Sequence, residues 1–451
     1  MSEPREQWGS KIGFVLAAAG SAVGLGNIWK FPYLVGEHGG AAFILLYLIC
    51  VVIVGIPVVI AEILIGRTAQ QNPVGSFRQL AKGNPFWMAV GALGVLTGFI
   101  ILSYYNVIAG WSVGYVVESV KGSFQHLSEP TQAGVLFGTL SRNCNWCLFY
   151  HGLFMVLTVG IIYFGVTKGI EKASKVLMPL LLFLIIILVI RGVTLDGARA
   201  GVDYLLKADF SAITKNTVLI ALGQAFFSLS LGMGALLTYG SYMSKKENLP
   251  NCALSIVGLD TMIALLAGFM IFPALFALGM QPDQGVPLIY NILPVLFNSI
   301  PGGYFFRIVF FVLLSLAALT STISLLEVIT SFAVDEFHIN RRKMAIIFGV
   351  LVFLMGIPSA LSFGVWSEVT IFGKTFFGLF DFLTANVFLP FGGFCIAIFV
   401  GWFWGLQHVK KHLMEGAPDL SPKLFRTWAF VLRFVSPVLI LIIFLSSLGI
   451  L

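Results

Sequence analysis

The chain has 451 residues, 58% of them hydrophobic and only 10% charged, with a mean hydropathy of +0.96. Soluble domains run at roughly 45 to 50% apolar residues, so this composition excludes a soluble enzyme or nucleic-acid binder and indicates an integral membrane protein. The formal net charge of +7 does not reopen the question, because the basic residues sit in short loops between apolar runs, as membrane topology requires.

Apolar runs of bilayer-spanning length recur from end to end. About eleven all-α spans are expected, near residues 11–35, 40–66, 88–120, 148–166, 171–191, 216–240, 252–279, 304–335, 343–362, 373–405 and 428–449. The first follows Arg5 and Lys11 as a signal peptide would, but it continues to Pro32 without a small-residue cleavage pattern and reads as mature structure. Lys and Arg then cluster in alternate loops: Arg67, Arg78 and Lys82; Lys168, Lys172 and Lys175; Lys245 and Lys246; Arg341, Arg342 and Lys343; Lys410, Lys411, Lys423 and Arg426. This bias places the N-terminus in the cytoplasm and the C-terminus outside. The opposite loops, such as "GMQPDQGVP" and "NSIPGGY", are rich in turn formers and fit an external face. No glycosylation sequon occurs, and with short tails this fits a bacterial inner-membrane protein. Cys144 and Cys147 in "NCNWC" form a single CxxC, half a zinc site at best. In an external loop it reads either as a local disulfide or as two unpaired thiols.

The first span has a weak middle. "AAAGSAVGLGNIWKFP", Ala17 to Pro32, carries Gly20, Gly24 and Gly26, then Asn27, Lys30 and Pro32. Glycine costs about 1 kcal/mol relative to Ala in a helix, and Asn belongs at helix ends. Small-residue helix packing accounts for the glycines but not for Asn27, Lys30 and Pro32. A dinucleotide turn needs a strand before it and a soluble βαβ unit around it, and neither is present. A break inside the bilayer strands backbone groups that ligands satisfy: helix N-termini suit a carboxylate, and freed carbonyls suit a small hard cation. The weak middle therefore reads as a binding site.

Span six repeats the pattern in "FFSLSLGMGA", Phe226 to Ala235. The two stretches lie five spans apart, so the second enters the membrane from the other side, and two inverted five-helix repeats plus one extra helix follow. The division is a cytoplasmic segment 1–10, a first repeat 11–191, a second repeat 216–405 and an eleventh helix 428–449, forming one transporter domain. Asp260 and Glu62 are carboxylates within apolar spans, where ionisable residues are costly and functional by default. Glu62 reads as an acceptor for unwound backbone of span six, while Glu327 is left without a role.

At "REQWGSKIGF", "GSAVGLGNIWKFPY", "EHGG", "GIPVVIAEILIGR", "GQAFFSLSLGMGALLTYGSY" and "LAALTSTISLLE" the chain resembles the neurotransmitter:sodium symporter family, its bacterial amino-acid members in particular. The resemblance covers essentially the whole chain and implies two sodium sites. The first would use the Ala22 carbonyl, Asn27, Ser228 and Asp260 together with the substrate carboxylate. The second would use carbonyls of Gly20, Val23 and Ala317 with the hydroxyls of Thr320 and Ser321. Substrate would lie along Ala22, Gly24, Leu25 and Gly26, with its carboxylate at the Leu25 and Gly26 N–H groups and the Tyr105 hydroxyl. Ile101, Phe227, Met233 and Leu325, with Ser228, Ser230 and Ser321, would line its pocket. The resemblance also implies gates: Lys30 with Asp381 and the ring of Phe227 outside, Arg5 with Asp335 and a Trp8 plug inside. Gly169 and Pro179 match the family's Gly-x9-Pro element in span five. Together these imply a sodium-coupled importer of neutral, hydrophobic L-amino acids with no chloride requirement, since Asp260 supplies the negative charge. Its expected partners are the amino acid, sodium ions and the lipid bilayer, not nucleic acid, and oligomeric state has no signal in the sequence. A non-transporting receptor of the same fold, or an intramembrane enzyme using Asp260, are the alternatives, although no catalytic triad, metal motif or P-loop is present.

Overall fold

A computed structural model describes residues 5–279 and 288–450. The expected external turn at 280–287 and the first four residues of the N-terminal segment lie outside the described residues. Among the described residues, nine helices are long and apolar enough to cross a membrane, and a bent pair adds a tenth crossing. In chain order, α1 (Lys11–Ala22) and α2 (Gly26–Glu37) form that pair, bent by 54°. They are followed by α3 (Ala41–Ala69), α4 (Pro85–Lys121), α5 (Cys144–Tyr163) and α6 (Val166–Val193). The expected sixth span consists of two helices, α7 (Lys215–Ser228) and α8 (Ala235–Ser241). Six residues separate them, which is why this span fails as a continuous helix. The rest are α9 (Leu249–Ala277), α10 (Gly303–Phe337), α11 (Arg341–Leu361), α12 (Phe376–Phe403) and α13 (Pro422–Ser447).

The helix starts are written in the sequence. Ser10, Asn84, Asn143, Asn248 and Asn340 each accept a backbone N–H in the first turn of α1, α4, α5, α9 and α11, and Thr214 and Thr217 form a reciprocal box at α7. Such caps satisfy donors that the apolar interior cannot. Short helices at Pro73–Leu80, Pro130–Arg142, Arg199–Leu206, Leu293–Asn298 and Leu406–Met414 lie between the spans.

The long α10 runs along α4, α8 packs on α3, and α1 is wedged among α9, α10 and α6. This arrangement brings the α1–α2 break and the α7–α8 break together in the middle of the bundle. A continuous apolar core surrounds them. Gly169 lies in a π-type turn that opens α6, where any side chain would strike the Ile161 carbonyl, and Pro179 lies within the same helix. All five cysteines are free thiols, and Cys144 and Cys147 lie in the first turn of α5.

Candidate functional site

Both breaks leave backbone groups that side chains take up. After Ala22, Val23 turns extended at φ −69° and ψ 109°. The Gly24 N–H donates to Asn27 Oδ1 at 3.1 Å, and the Leu25 N–H donates to the Tyr105 hydroxyl at 3.0 Å. In the second break, Ser230, Gly232 and Gly234 adopt φ of +54°, +82° and +77°. Left-handed backbone is cheap for the two glycines and strained for Ser230. The Ser230 hydroxyl donates to the Ser21 carbonyl at 3.0 Å and joins the two breaks. The Gly232 N–H donates to Oε1 of the fully buried Glu62 at 2.7 Å, the structural job expected of that carboxylate.

Asn27, Ser228 and Asp260 form one oxygen-rich cluster, all three buried. Asn27 Nδ2 donates to Asp260 Oδ1 at 2.7 Å and to Ser228 Oγ at 3.1 Å, and Ser228 Oγ donates to Asp260 Oδ2 at 2.9 Å. The Tyr47 hydroxyl closes the group from α3, 3.5 Å from Ser228 Oγ. Ala22 ends α1 just before the break. Among the described residues no basic side chain pairs with Asp260. A buried carboxylate without a cationic partner among the described residues is matched in chemistry to a hard cation held by oxygens.

Thr320 and Ser321 of α10 face the first break. Thr320 Oγ1 donates to the carbonyls of Ala317 at 2.9 Å and Val23 at 3.4 Å. Ser321 Oγ lies 3.2 Å from the Val23 carbonyl and 3.3 Å from that of Ser21. A Cβ on Gly20 would come within 3.1 Å of Thr320, so Gly20, Val23, Ala317, Thr320 and Ser321 share one small volume.

Between the two clusters, a Cβ on Gly24 would lie 2.6 Å from Ser321 Oγ and 2.8 Å from the Tyr105 hydroxyl. Gly26 stands against the Phe227 ring, where a Cβ would lie 3.2 Å from a ring carbon. On α4, Gly98 faces the carbonyls of Met233 and Leu325, and Ile101 lies one turn further along the helix. Ile101, Met233 and Leu325 are buried, whereas Tyr105 and Phe227 are partly accessible. The residues expected to hold a substrate are therefore neighbours, with backbone N–H at one end and apolar side chains at the other. Ser230 stands at the same place, its hydroxyl on the Ser21 carbonyl beside the break.

The two faces differ. Arg5 Nη1 pairs with Asp335 Oδ2 at 2.5 Å, and its other nitrogens donate to Ser241 Oγ at 2.8 and 3.0 Å. Asp335 also accepts the Asn72 N–H at 2.8 Å. Trp8 Nε1 donates to the Tyr239 carbonyl at 2.9 Å, and the indole packs edge-on against Tyr239 and Tyr242. On the other face, the expected Lys30–Asp381 pair is not made. The Lys30 ammonium stands 4.4 Å over the Phe227 ring, while exposed Asp381 accepts from the Tyr104 hydroxyl at 3.3 Å. The physical reason is separation: the two charges stand beyond ion-pair distance though within electrostatic reach of one another, and each rests on a neutral partner on its own side of the path. The face with Arg5 is latched, and the face with Lys30 is not.

Sequence reasoning missed several contributors. Ser21 and Ser324 share a 2.7 Å hydrogen bond, Gln224 Nε2 donates to the Gly26 carbonyl at 3.3 Å, and Tyr242 donates to Glu327 Oε1 at 2.5 Å. Glu327 also pairs with Arg341. A buried Glu and an Arg fourteen residues apart, across a helix end, carry no periodic signal that distinguishes them from a topology charge.

The sequence profile of the sodium:neurotransmitter symporter family matches residues 5–129 and 140–450. The chain belongs to this family. It is a sodium-dependent membrane transporter and not an enzyme. An uncharacterized sodium-dependent transporter of Bacillus subtilis is 42% identical over the full length of both chains. A sodium- and chloride-dependent GABA transporter of Drosophila melanogaster is 27% identical over 92% of this chain and 48% of its own length. Among solved structures, the crystal structure of MhsT in complex with L-phenylalanine superposes with a TM-score of 0.89, at 49% identity, covering 98% of this chain and 100% of MhsT. The fold is that of MhsT, the LeuT-like fold of the family.

Proposed function

We propose that this transporter imports neutral, hydrophobic L-amino acids by alternating access, each molecule moving with two sodium ions down the sodium gradient and without chloride. The observation that carries the reading is the α1–α2 break. There the Leu25 N–H and Tyr105 hydroxyl are 3.0 Å apart, beside the Asn27, Ser228 and Asp260 cluster and the apolar lining of Ile101, Met233 and Leu325. Helix α2 points its positive N-terminal end at this place, which suits the carboxylate of an intact amino acid. The apolar end suits a side chain such as that of L-phenylalanine, the ligand held by MhsT.

Sodium at the first cluster takes the charge of Asp260, and sodium at the second takes the oxygens of Gly20, Val23, Ala317, Thr320 and Ser321. Because the two clusters are built from α1, α9 and α10 at once, an ion binds best in the state that brings these elements together, and so biases the conformational equilibrium. The pairing of 11–191 with 216–405 as inverted repeats supplies the two halves that rock. The loop charge bias supports a cytoplasmic Arg5 face and a C-terminus outside, in a bacterial inner membrane, with Arg5, Asp335 and Trp8 serving as the inner gate and Lys30, Phe227 and Asp381 as the outer. The deciding experiment is uptake of labelled L-phenylalanine into proteoliposomes. Accumulation driven by an inward sodium gradient, and abolished when the gradient is collapsed, supports the reading. Sodium-dependent binding without accumulation supports the receptor alternative instead.

A further inference from the structure

Arg433 lies on α13. Among the described residues no carboxylate is within ion-pair distance of it, its Nε is buried without a hydrogen-bond partner, and its guanidinium instead stacks 3.9 Å over the Trp402 ring. The Trp402 Nε1 donates back to the Arg433 carbonyl at 2.9 Å, and Gly401 brings α12 close enough that a Cβ there would lie 3.2 Å from Arg433 Cα. This seam faces out of the bundle. Trp402, Phe403, Phe430 and Phe434 are all exposed on the surface that lipid covers. Trp402 is one residue from the end of α12, which puts the pair at the level where aromatic belts mark the membrane boundary.

An unpaired guanidinium facing lipid chains is among the costliest groups a span can present, and it persists where it meets a counter-charge or reaches the headgroups. Further basic residues gather on the same side. Arg426 lies two helical turns before Arg433 on one face of α13, and Lys410 and Lys411 are exposed on the amphipathic helix Leu406–Met414, with Lys410 Nζ 6.0 Å from the Phe425 ring. The nearby Glu415 is already engaged by His412 at 2.9 Å. Phosphate is the group whose geometry a fork of free Arg donors fits, and a phospholipid alone supplies phosphate together with acyl chains to cover the exposed aromatic residues.

We propose that the Arg433–Trp402 seam, with Arg426 and Lys410, binds the phosphate of an anionic glycerophospholipid in the leaflet level with Trp402. The proposal needs only that the chain spans a membrane, so it stands or falls independently of substrate and ion stoichiometry.

The test uses the full chain in detergent micelles doped with either phosphatidylglycerol or phosphatidylcholine, with lipid retention read by native mass spectrometry. Wild type should retain phosphatidylglycerol in preference to phosphatidylcholine. Arg433→Gln should lose that preference by roughly fivefold, the factor one basic residue contributes at an anionic surface. Arg433→Lys should keep most of it, and Trp402→Leu should weaken it with every charge in place. Inorganic phosphate at millimolar concentration should not compete. Equal retention of both lipids by wild type, unchanged retention in both Arg433→Gln and Trp402→Leu, or displacement by inorganic phosphate would overturn the proposal. If Arg433→Gln does not fold, Trp402→Leu and Arg433→Lys decide it.

Discussion

Asn27 Nδ2 donates to Asp260 Oδ1 at 2.7 Å, which ties the first turn beyond the α1–α2 break to a buried carboxylate on α9. Ser228 holds the second carboxylate oxygen at 2.9 Å, so both oxygens of Asp260 face the break. A cation in a low-dielectric site is expensive without a nearby negative charge. In the proposed function, Asp260 supplies one from the protein itself.

Transport should therefore be indifferent to replacing chloride with gluconate. Asp260→Asn keeps the shape of the cluster and removes its charge, so sodium-driven uptake at neutral pH should fall by about tenfold or more, the cost of leaving a buried cation without its partner. Uptake assays in the two anions check both halves. Full chloride-free activity in Asp260→Asn, or strong chloride dependence in the wild type, contradicts this role.

Gly24 has no room for a side chain. A Cβ there would approach Ser321 Oγ to 2.6 Å and the Tyr105 hydroxyl to 2.8 Å, both inside contact distance. Overpacking of this kind costs about 1–3 kcal/mol, and here it would displace the hydroxyl that receives the Leu25 N–H. Gly24→Ala should weaken amino-acid binding by about tenfold or more while the protein still assembles. Monoamines lacking a carboxylate should not displace labelled phenylalanine from the wild type. Competition by amines on a par with amino acids would show that the carboxylate is not what the break recognises.

How much of this was readable beforehand differs between backbone and side chains. The breaks at Val23–Leu25 and Leu229–Gly234 were legible because glycines, Asn27 and Pro32 contradict a bilayer helix locally, and local contradiction is what a sequence displays. The spans were legible for the complementary reason, since length and hydropathy are sums over neighbours. Ser230 shows the limit. The resemblance implied a pocket lining, but that a φ of +54° carries its hydroxyl to the Ser21 carbonyl and joins the two breaks could not be read there, since a backbone angle is not written in a composition. Lys30 and Asp381 show another. The family resemblance implied a pair, yet Lys30 rests over a ring face and Asp381 on a phenol hydroxyl, and which neutral group each charge meets is set by how far the two sides of the path stand apart. The Glu327, Tyr242 and Arg341 group, assembled from three elements far apart in the chain, had no local signature at all.

The second oxygen cluster is tested by its hydroxyls. Thr320→Ala removes one donor to the Val23 carbonyl and leaves Ser321 beside Gly24 undisturbed. Sodium affinity should drop several-fold in Thr320→Ala and by about tenfold or more in the double variant with Ser321→Ala, on the scale of about 1 kcal/mol per lost oxygen contact. The measurement is the sodium concentration giving half-maximal uptake. Unchanged values in the double variant would move the second ion elsewhere.

The latched face is the last test. Arg5 bonds Asp335 at 2.5 Å and Ser241 at 2.8 Å, Trp8 seals against Tyr239 and Tyr242, and the Trp8 N–H donates to the Tyr242 carbonyl at 3.0 Å. Neither partner of the ion pair is fully exposed, with side-chain exposures of 13% and 26%, so the pair is worth more than a surface contact but less than a buried one. Removing about 1–2 kcal/mol from one side of a two-state equilibrium shifts it roughly 5- to 30-fold. Arg5→Ala should accordingly favour the state open on this face, and the segment from Gln7 to Ser10 should lose its hold. Hydrogen exchange reads this directly, because the Trp8 and Gly9 amides are bonded to the Tyr242 carbonyl and to Glu171 Oε2 at 3.0 and 2.7 Å. In Arg5→Ala their exchange should accelerate by about the same factor, and saturating sodium should restore part of the protection if the ions bind the latched state best. Asp335→Asn should reproduce the effect from the other partner. Exchange rates unchanged in both variants would mean that Trp8 and Glu171, and not the Arg5–Asp335 pair, keep this face closed.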